Sequence, residues 1–219
     1  GPNFQNHIVG YQQWGGVENQ NIKPSVLQNI QFFFNYQLNY MYFRYFMWNF
    51  AGRQNDLQGD GGITKGNWIS GIPFIDQHIL GLGPQDNIAP DIADNKGRNV
   101  YFMLPFILGL IGIFYQLSLK KNGFKSFSIV FMLFFMTGIA IVLYLNQTPF
   151  EPRERDYAYA GSFYAFSIWV GMGVAGISLF LRKYLKNTVA AASIATLASI
   201  MVPLQMAAQN WDDHDRSGR

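Results

Sequence analysis

The segment at 151–156, Glu-Pro-Arg-Glu-Arg-Asp, combines the residue types best suited to chemistry in this chain. Five of its six residues are charged, and long uncharged apolar segments flank it on both sides. A carboxylate can accept the proton of a hydroxyl nucleophile, and an arginine can bind phosphate oxygens through two hydrogen bonds. The segment therefore predicts a general base and a phosphate clamp. The predicted catalytic carboxylates are Glu154, Asp156 and Glu151, and the predicted phosphate ligands are Arg153 and Arg155.

A purely structural interpretation of this segment is also open. Its glutamates and arginines would then neutralise one another, and the loop would simply cap two helices. The concentration of charge beside charge-poor helices favours the functional interpretation, because ionisable residues near a membrane are costly and often mark a site.

A second polar cluster, Asp212-Asp213-His214, follows the last apolar stretch. Carboxylates and an imidazole suit a divalent cation. Consecutive side chains seldom all reach one ion, so at most two of the three would bind. The alternative, which we favour, is a solvated helix end that leads into a following region.

A third polar cluster, Arg53-Gln54-Asn55-Asp56, follows an aromatic run. Arg53 and Asp56 would join the same site as the charged segment, and Asn55 would offer amide hydrogen bonds to a sugar hydroxyl. The alternative is a polar exit from a helix at the membrane interface.

The composition excludes several classes of function. Charged residues make up 13% of the 219 residues, about half of the roughly 25% that is usual in soluble domains. The net charge of +3 forms no basic stripe, so no nucleic-acid partner is expected. The absence of cysteine excludes a disulfide framework, a thiolate metal site and a cysteine nucleophile. Because the chain starts without methionine and ends abruptly, we expect it to be a segment of a longer polypeptide.

Four stretches are long and apolar enough to cross a membrane, which takes about 20 residues. They are 99–119, 127–145, 157–181 and 187–211. The predicted fold is an all-α integral membrane protein, a polytopic helical bundle with about four transmembrane helices in 99–211 and an N-terminal aromatic interfacial helix.

The lysines and arginines of the short loops predict the orientation of this bundle. Basic residues mark the cytoplasmic loops, and they cluster in two turns, with Lys120, Lys121 and Lys125 in one and Arg182, Lys183 and Lys186 in the other. The 147–157 loop, the N-terminal region and the C-terminal tail would then face outward. These parts would lie on the external or periplasmic side, and the family resemblance given below implies the bacterial inner membrane.

The aromatic run at 25–51 separates an external segment, 1–24, from an external loop region, 52–98. It holds eleven aromatic residues and a single charge, Arg44. Tyrosine and tryptophan favour the membrane interface, so we expect a long interfacial or partly buried helix. A fifth transmembrane helix is the alternative, and it would place the N-terminus in the cytoplasm. Residues 212–219 would begin a further external region.

Several long strings resemble a bacterial family of multi-pass membrane proteins described as protein O-mannosyltransferase-like. They are YFRYFMWNFAGRQND at 42–56, GNWISGI at 66–72, NQTPFEPRERDYAYAGSF at 146–163 and NWDDHDRS at 210–217. The resemblance implies a glycosyltransferase of the GT-C type with an outward-facing site. It also implies missing N- and C-terminal parts, because members of the family are much longer and the catalytic acid usually lies in an earlier external loop.

The expected function is transfer of a sugar from a polyprenyl-phosphate donor to a periplasmic acceptor, a protein serine or threonine or a glycan. The implied partners are membrane lipid, the lipid-linked sugar and the acceptor, and a divalent metal is a further possibility. The alternative from another class is a non-catalytic membrane component of an envelope assembly or secretion machine. A transporter ranks third, because the charges lie at helix ends rather than at mid-membrane.

Overall fold

The computed structural model describes residues 2–18, 23–59, 61–85, 88–150 and 155–214, and most of them are helical. The α-helices are α1 (Pro2–Trp14), α2 (Val26–Phe32), α3 (Arg44–Phe50), α4 (Pro90–Ala93), α5 (Leu104–Ser118), α6 (Lys120–Thr137), α7 (Ile139–Leu145), α8 (Ala160–Leu181) and α9 (Thr188–His214). Two π-helical segments, Phe33–Phe43 and Ile75–Ile79, and a 3₁₀ turn, Asp156–Tyr159, complete the helices. The strands are β1 (Gly52–Arg53) and β2 (Asn99–Val100).

Helices α5 and α8 run parallel and touch through glycine. A Cβ on Gly112 would overlap the backbone carbonyl of Trp169, and one on Gly173 would overlap the carbonyl of Leu108. Farther along, Gly176 lies beside Ile111. Because glycine has no side chain, the two backbones approach more closely than larger residues would allow, as is common between membrane helices.

Helices α6 and α7 run antiparallel to α8. The ring of Phe127 stacks against Trp169, and Thr137 lies against Gly161 near the start of α8. A short break at Gly138 separates α6 from α7, at a point where a Cβ would meet the Tyr42 hydroxyl. Helix α9 then packs beside α8 and α5.

Within the described part of the chain, three helical segments are long and apolar enough to cross a membrane: Asn122–Leu145, Asp156–Leu181 and Thr188–Trp211. These confirm the coarse prediction of a polytopic helical membrane protein. The predicted span at 99–119 is shorter than expected, since α5 has 15 residues and a length of about 22 Å against a hydrocarbon core of about 30 Å. Its start is delayed because residues 99–100 form β2, and Phe102 and Met103 have positive φ angles of 53° and 56°.

The aromatic run lies across one end of this bundle. Ser25 starts α2 with a capping box, in which its hydroxyl accepts from the Gln28 backbone and the Gln28 side chain accepts from Ser25 N–H. Within the first half of the run, Tyr36 donates to the carbonyl of Thr148. At the far end, the Tyr101 N–H donates to the carbonyl of Ala51. Both partners lie at the same end of the bundle, and whether the run is interfacial, partly buried or a fifth span stays a prediction.

Phe46, Met47 and Phe50, near the end of the aromatic run, form the main core together with Phe166 and Trp169 of α8. The run thus contributes buried side chains to the core of the bundle. This packing fixes where the following loop begins.

A small antiparallel sheet and an isolated bridge between Arg53 and Trp68 depart from an all-α fold. The sheet pairs Gly52 with Val100 and Arg53 with Asn99. Val100 also donates its N–H to Gln209 of α9, and its carbonyl accepts from Gln205. The sheet therefore holds both ends of the 52–98 loop region against the polar end of α9.

These contacts give the bundle two unlike ends. We call the end that carries residues 52–103, residues 146–150 and the last turns of α9 the loop end. The two basic turns, 119–125 and 182–187, lie together at the opposite end, because α5 and α8 are parallel. We call this the basic end.

Candidate functional site

The charged segment lies partly outside the described residues. Glu151, Arg153 and Glu154 belong to the part that the structure does not describe. Arg155 and Asp156 are exposed, and they lie at the start of the 3₁₀ turn that leads into α8 at the loop end. The prediction that this segment provides a base and a phosphate clamp stays a prediction.

The metal prediction is likewise untested. The backbone of Asp212, Asp213 and His214 forms the final turn of α9, but their side chains are not described. Among the side chains that are described, no group of three histidine, aspartate or glutamate residues is placed to hold a metal ion.

The third cluster is divided by the fold. Asn55 has no exposed surface, and its amide donates to the Thr64 carbonyl while its oxygen accepts from the Gly66 N–H at 2.8 Å. Asp56 is exposed, and its carboxylate accepts from the Asn95 amide at 2.8 Å. Asn55 therefore links residues 55 and 64–66 of the loop to each other, whereas Asp56 lies on the loop surface.

Arg53 is half-buried at the root of the same loop. Its Nε donates to the Gly97 carbonyl at 2.6 Å, and its guanidinium lies 5.6 Å from the ring of Trp48. It therefore joins the two ends of the loop region at β1 and β2.

A polar cavity of about 300 Å³ lies between the loop and the end of α9. The polar residues described in its lining are a carboxylate, a guanidinium and several primary amides: Asp76, Arg98, Gln77, Gln85, Gln205 and Gln209. This volume is at the lower end of the usual range for ligand pockets, about 300–1,000 Å³. Converging amides, a cation and an anion suit a small ligand rich in hydroxyl or phosphate groups.

Asp76 is the buried carboxylate in the lining of this cavity. Its side chain is 2% exposed, and its carboxylate accepts from the Ser70 N–H at 2.7 Å, the Ser70 hydroxyl at 2.8 Å and the Gly71 N–H at 2.9 Å. Three such bonds fix the loop at 70–76 and satisfy a charge that would otherwise be costly to bury.

Arg98 supplies the positive charge of the cavity. Burial lowers the pKa of its guanidinium, and the negative charge of Asp76 acts in the opposite direction. An arginine remains protonated at neutral pH even so. Its Nη1 also lies 3.4 Å from the Gln54 carbonyl, and this contact steadies the side chain at the cavity.

An aromatic cavity of about 410 Å³ lies on the other side of the Ile75–Ile79 turn. Asp76 and Gln77 line the polar cavity, whereas Ile79, Leu80 and Leu82 line the aromatic one. Its remaining wall comes from α1, the aromatic run and the loop: Trp14, Asn39, Tyr40, Phe43, Arg44, Gly61, Asn67 and Trp68.

Arg44 is a buried, positively charged residue in the lining of the aromatic cavity. It is 4% exposed, and its guanidinium carbon lies 3.9 Å from the ring centroid of Tyr40, 4.6 Å from Tyr45 and 5.0 Å from Trp48. It also donates to the carbonyls of Tyr40 and Gly66. Stacking and hydrogen bonding together compensate for burying this charge.

Sequence reasoning missed Asp76, Arg98, Gln205 and Gln209 as site residues. Each stands alone in the sequence, and the fold brings them together across more than a hundred positions. The sequence signal that could have indicated Gln205 and Gln209 is their polarity, because they lie near the end of a largely apolar helix.

The chain matches no protein-family model, no curated protein and no solved structure. The resemblance to the O-mannosyltransferase-like family therefore stays a prediction.

Proposed function

We propose that the protein containing this chain is a membrane glycosyltransferase of the O-mannosyltransferase-like kind. It moves a sugar from a polyprenyl-phosphate donor to a periplasmic acceptor, a protein serine or threonine or a glycan. In this proposal α5 is a fourth, tilted or partly inserted helix of the membrane bundle, and the loop end faces the periplasm.

The polar cavity is the observation that carries the proposal. It places Arg98 and a set of glutamine amides beside the buried carboxylate Asp76, at the helix ends. A sugar phosphate needs both a cation for the phosphate and neutral donors and acceptors for the hydroxyls. The lipid tail of such a donor would remain in the bilayer while its head group reaches the cavity.

Each residue has a defined role in this proposal. Arg98 binds the donor phosphate, with Arg155 and Arg153 as further ligands from the charged segment. Asp156 or Glu154 accepts the proton of the acceptor hydroxyl as the new glycosidic bond forms, and the polyprenyl phosphate leaves with the electrons of the broken bond. Asp76 is a positioning residue, because its oxygens are committed to Ser70 and Gly71.

A transfer assay on the full-length protein in lipid nanodiscs tests this function. The donors are radiolabelled polyprenyl-phosphate-linked mannose, glucose and galactose, and the acceptors are periplasmic extract proteins and glycans. We expect Arg98→Ala to lower transfer about tenfold or more, since a charge-assisted phosphate contact is lost. Asp156→Asn should lower it by about a hundredfold or more if this carboxylate is the base.

Arg182→Ala is the matched control, because Arg182 is an exposed arginine at the basic end. It should transfer sugar at the wild-type rate. A wild-type protein that is inactive with every donor, or R98A and D156N proteins as active as R182A, would contradict the proposal.

The second candidate is a non-catalytic component of an envelope machine. Exposed apolar side chains on the loop region favour it, among them Ile63 and Phe74. Such a protein would bind a partner through this surface and would release no polyprenyl phosphate in the same assay.

A further inference from the structure

The aromatic cavity carries polar groups that have no hydrogen-bond partner among the described residues. Within the described residues, the exposed Asn39 amide makes no side-chain hydrogen bond, and neither do the indole N–H groups of Trp14 and Trp68. The Asn67 amide nitrogen donates to Gln54, Gly62 and Lys65, but its oxygen accepts no bond there. Four hydrogen-bonding groups around one cavity are thus available to a ligand.

Four aromatic rings line the same space. The Trp14 ring lies 4.8 Å from Tyr40, and Phe43 meets Trp68 edge to face at 6.3 Å. These contacts join a ring of α1 to the aromatic run and a second ring of that run to the loop. Aromatic ring faces are weakly negative, and the C–H groups of a ligand pack well on them.

The charge of the cavity argues for a neutral ligand. Among the described residues that line it, none is a carboxylate. Its one cation, Arg44, donates to two backbone carbonyls and stacks on three rings. A hydrocarbon chain fits less well, since it would cover Asn39 and two indole N–H groups without giving them partners.

We propose that the aromatic cavity binds an uncharged pyranose ring, which is the acceptor sugar of the transfer. The ring would place its C–H face on the aromatic side chains and its hydroxyls on Asn39, Asn67 and the indoles. The role as acceptor rests on the proposed function, and it makes the acceptor a glycan rather than a bare serine or threonine. The two cavities flank the same segment, 75–85, so donor and acceptor would bind side by side.

Saturation-transfer difference NMR on the full-length protein in nanodiscs tests the site directly. The probes are the methyl glycosides of mannose, glucose, galactose and N-acetylglucosamine, without any donor. We expect at least one glycoside to receive saturation, most strongly at the protons of its apolar ring face. Asn39→Ala and Trp68→Phe should each weaken its binding about threefold to tenfold, because each removes one hydrogen bond.

Two matched controls should bind as the wild type does. Asn49→Ala removes another exposed amide of the aromatic run, one that donates to the Tyr45 carbonyl instead of lining the cavity. Trp211→Phe changes a tryptophan that is 74% exposed at the end of α9.

Three results would overturn the proposal. One is the absence of saturation for all four glycosides with the wild-type protein. Another is equal binding by N39A, W68F and the controls. The third is displacement of the bound glycoside by a polyprenyl phosphate, together with weaker binding of that polyprenyl phosphate to N39A and W68F. This result would make the cavity a lipid-chain site. The readout needs neither donor nor turnover, so its failure is distinct from failure of the transfer assay.

Discussion

Gln116 shows how single residues stabilise the membrane bundle. Its Oε1 accepts from the indole N–H of Trp169 at 2.8 Å, and both side chains are fully buried between α5 and α8. In a membrane no water can replace this partner, so an unmatched N–H is costly. The pair therefore fixes how α5 and α8 are rotated against each other.

Gln116→Leu tests this contact. We expect the free energy of unfolding to fall by about 1–2 kcal/mol, because the indole N–H of Trp169 loses its acceptor. The measurement is the fraction folded as denaturing detergent is added to the protein in mild micelles. A double-mutant cycle with Trp169→Phe should show coupling between the two changes. Additive effects, or a Q116L protein as stable as the wild type, would contradict the role.

At the scale of single residues, the sequence predicted that polar and charged side chains lie at the loop end, but it did not predict which of them line one cavity. Arg53 and Asp56 are at this end as expected, although Asn55 is buried and bonded to the loop backbone. Asp76 and Arg98 were not predicted, because the turn at 75–79 and the sheet at 99–100 bring them to one cavity. Such proximity depends on loop geometry that no local pattern encodes.

Close packing of α5 on α8 depends on small residues at defined helix positions. Gly112 and Gly173 lie where a Cβ would overlap a backbone carbonyl of the partner helix, whereas Gly171 has open space around it. Gly171 and Gly173 are two residues apart on α8, but only Gly173 has a neighbour that a Cβ would overlap. Comparing substitutions at the two positions therefore distinguishes an effect on helix packing from an effect on helix propensity.

We expect Gly173→Ala and Gly112→Ala each to destabilise the protein by about 1–3 kcal/mol, since the helices must move apart to admit the methyl group. Gly171→Ala should be neutral or slightly stabilising, because alanine favours helix more than glycine does. Thermal unfolding of the purified protein in one detergent compares the three. Equal midpoints for G173A and G171A would show that the contact does not limit packing.

The sequence predicted which segments form helices far better than it predicted where those helices begin and end. The apolar stretches at 127–145, 157–181 and 187–211 are all helical, since their length and hydropathy leave few alternatives. The start of α5 was wrong by five residues, because pairing of Val100 with Gly52 and Gln209 competes with helix there. The partial burial of the aromatic run reflects tertiary packing against Phe166, which local composition does not reveal.

At the scale of the whole molecule, the two ends of the bundle differ in chemistry. The loop end carries both cavities, the described part of the charged segment and the polar turns of α9. The basic end carries the turns that include Lys120, Lys125, Arg182 and Lys186. Basic turns favour the cytoplasm, so we expect the loop end, and with it the proposed transfer, on the periplasmic side.

Cysteine labelling in whole cells tests this central claim most directly, because the chain has no native cysteine. Thr64→Cys and Asp94→Cys place a thiol on exposed loop-end positions, and Asn122→Cys places one on an exposed position at the basic end without removing a basic residue. We predict that a membrane-impermeant maleimide, admitted to the periplasm, labels the first two variants in intact cells and the third only after lysis. Labelling of Asn122→Cys alone in intact cells would place both cavities in the cytoplasm and contradict periplasmic sugar transfer.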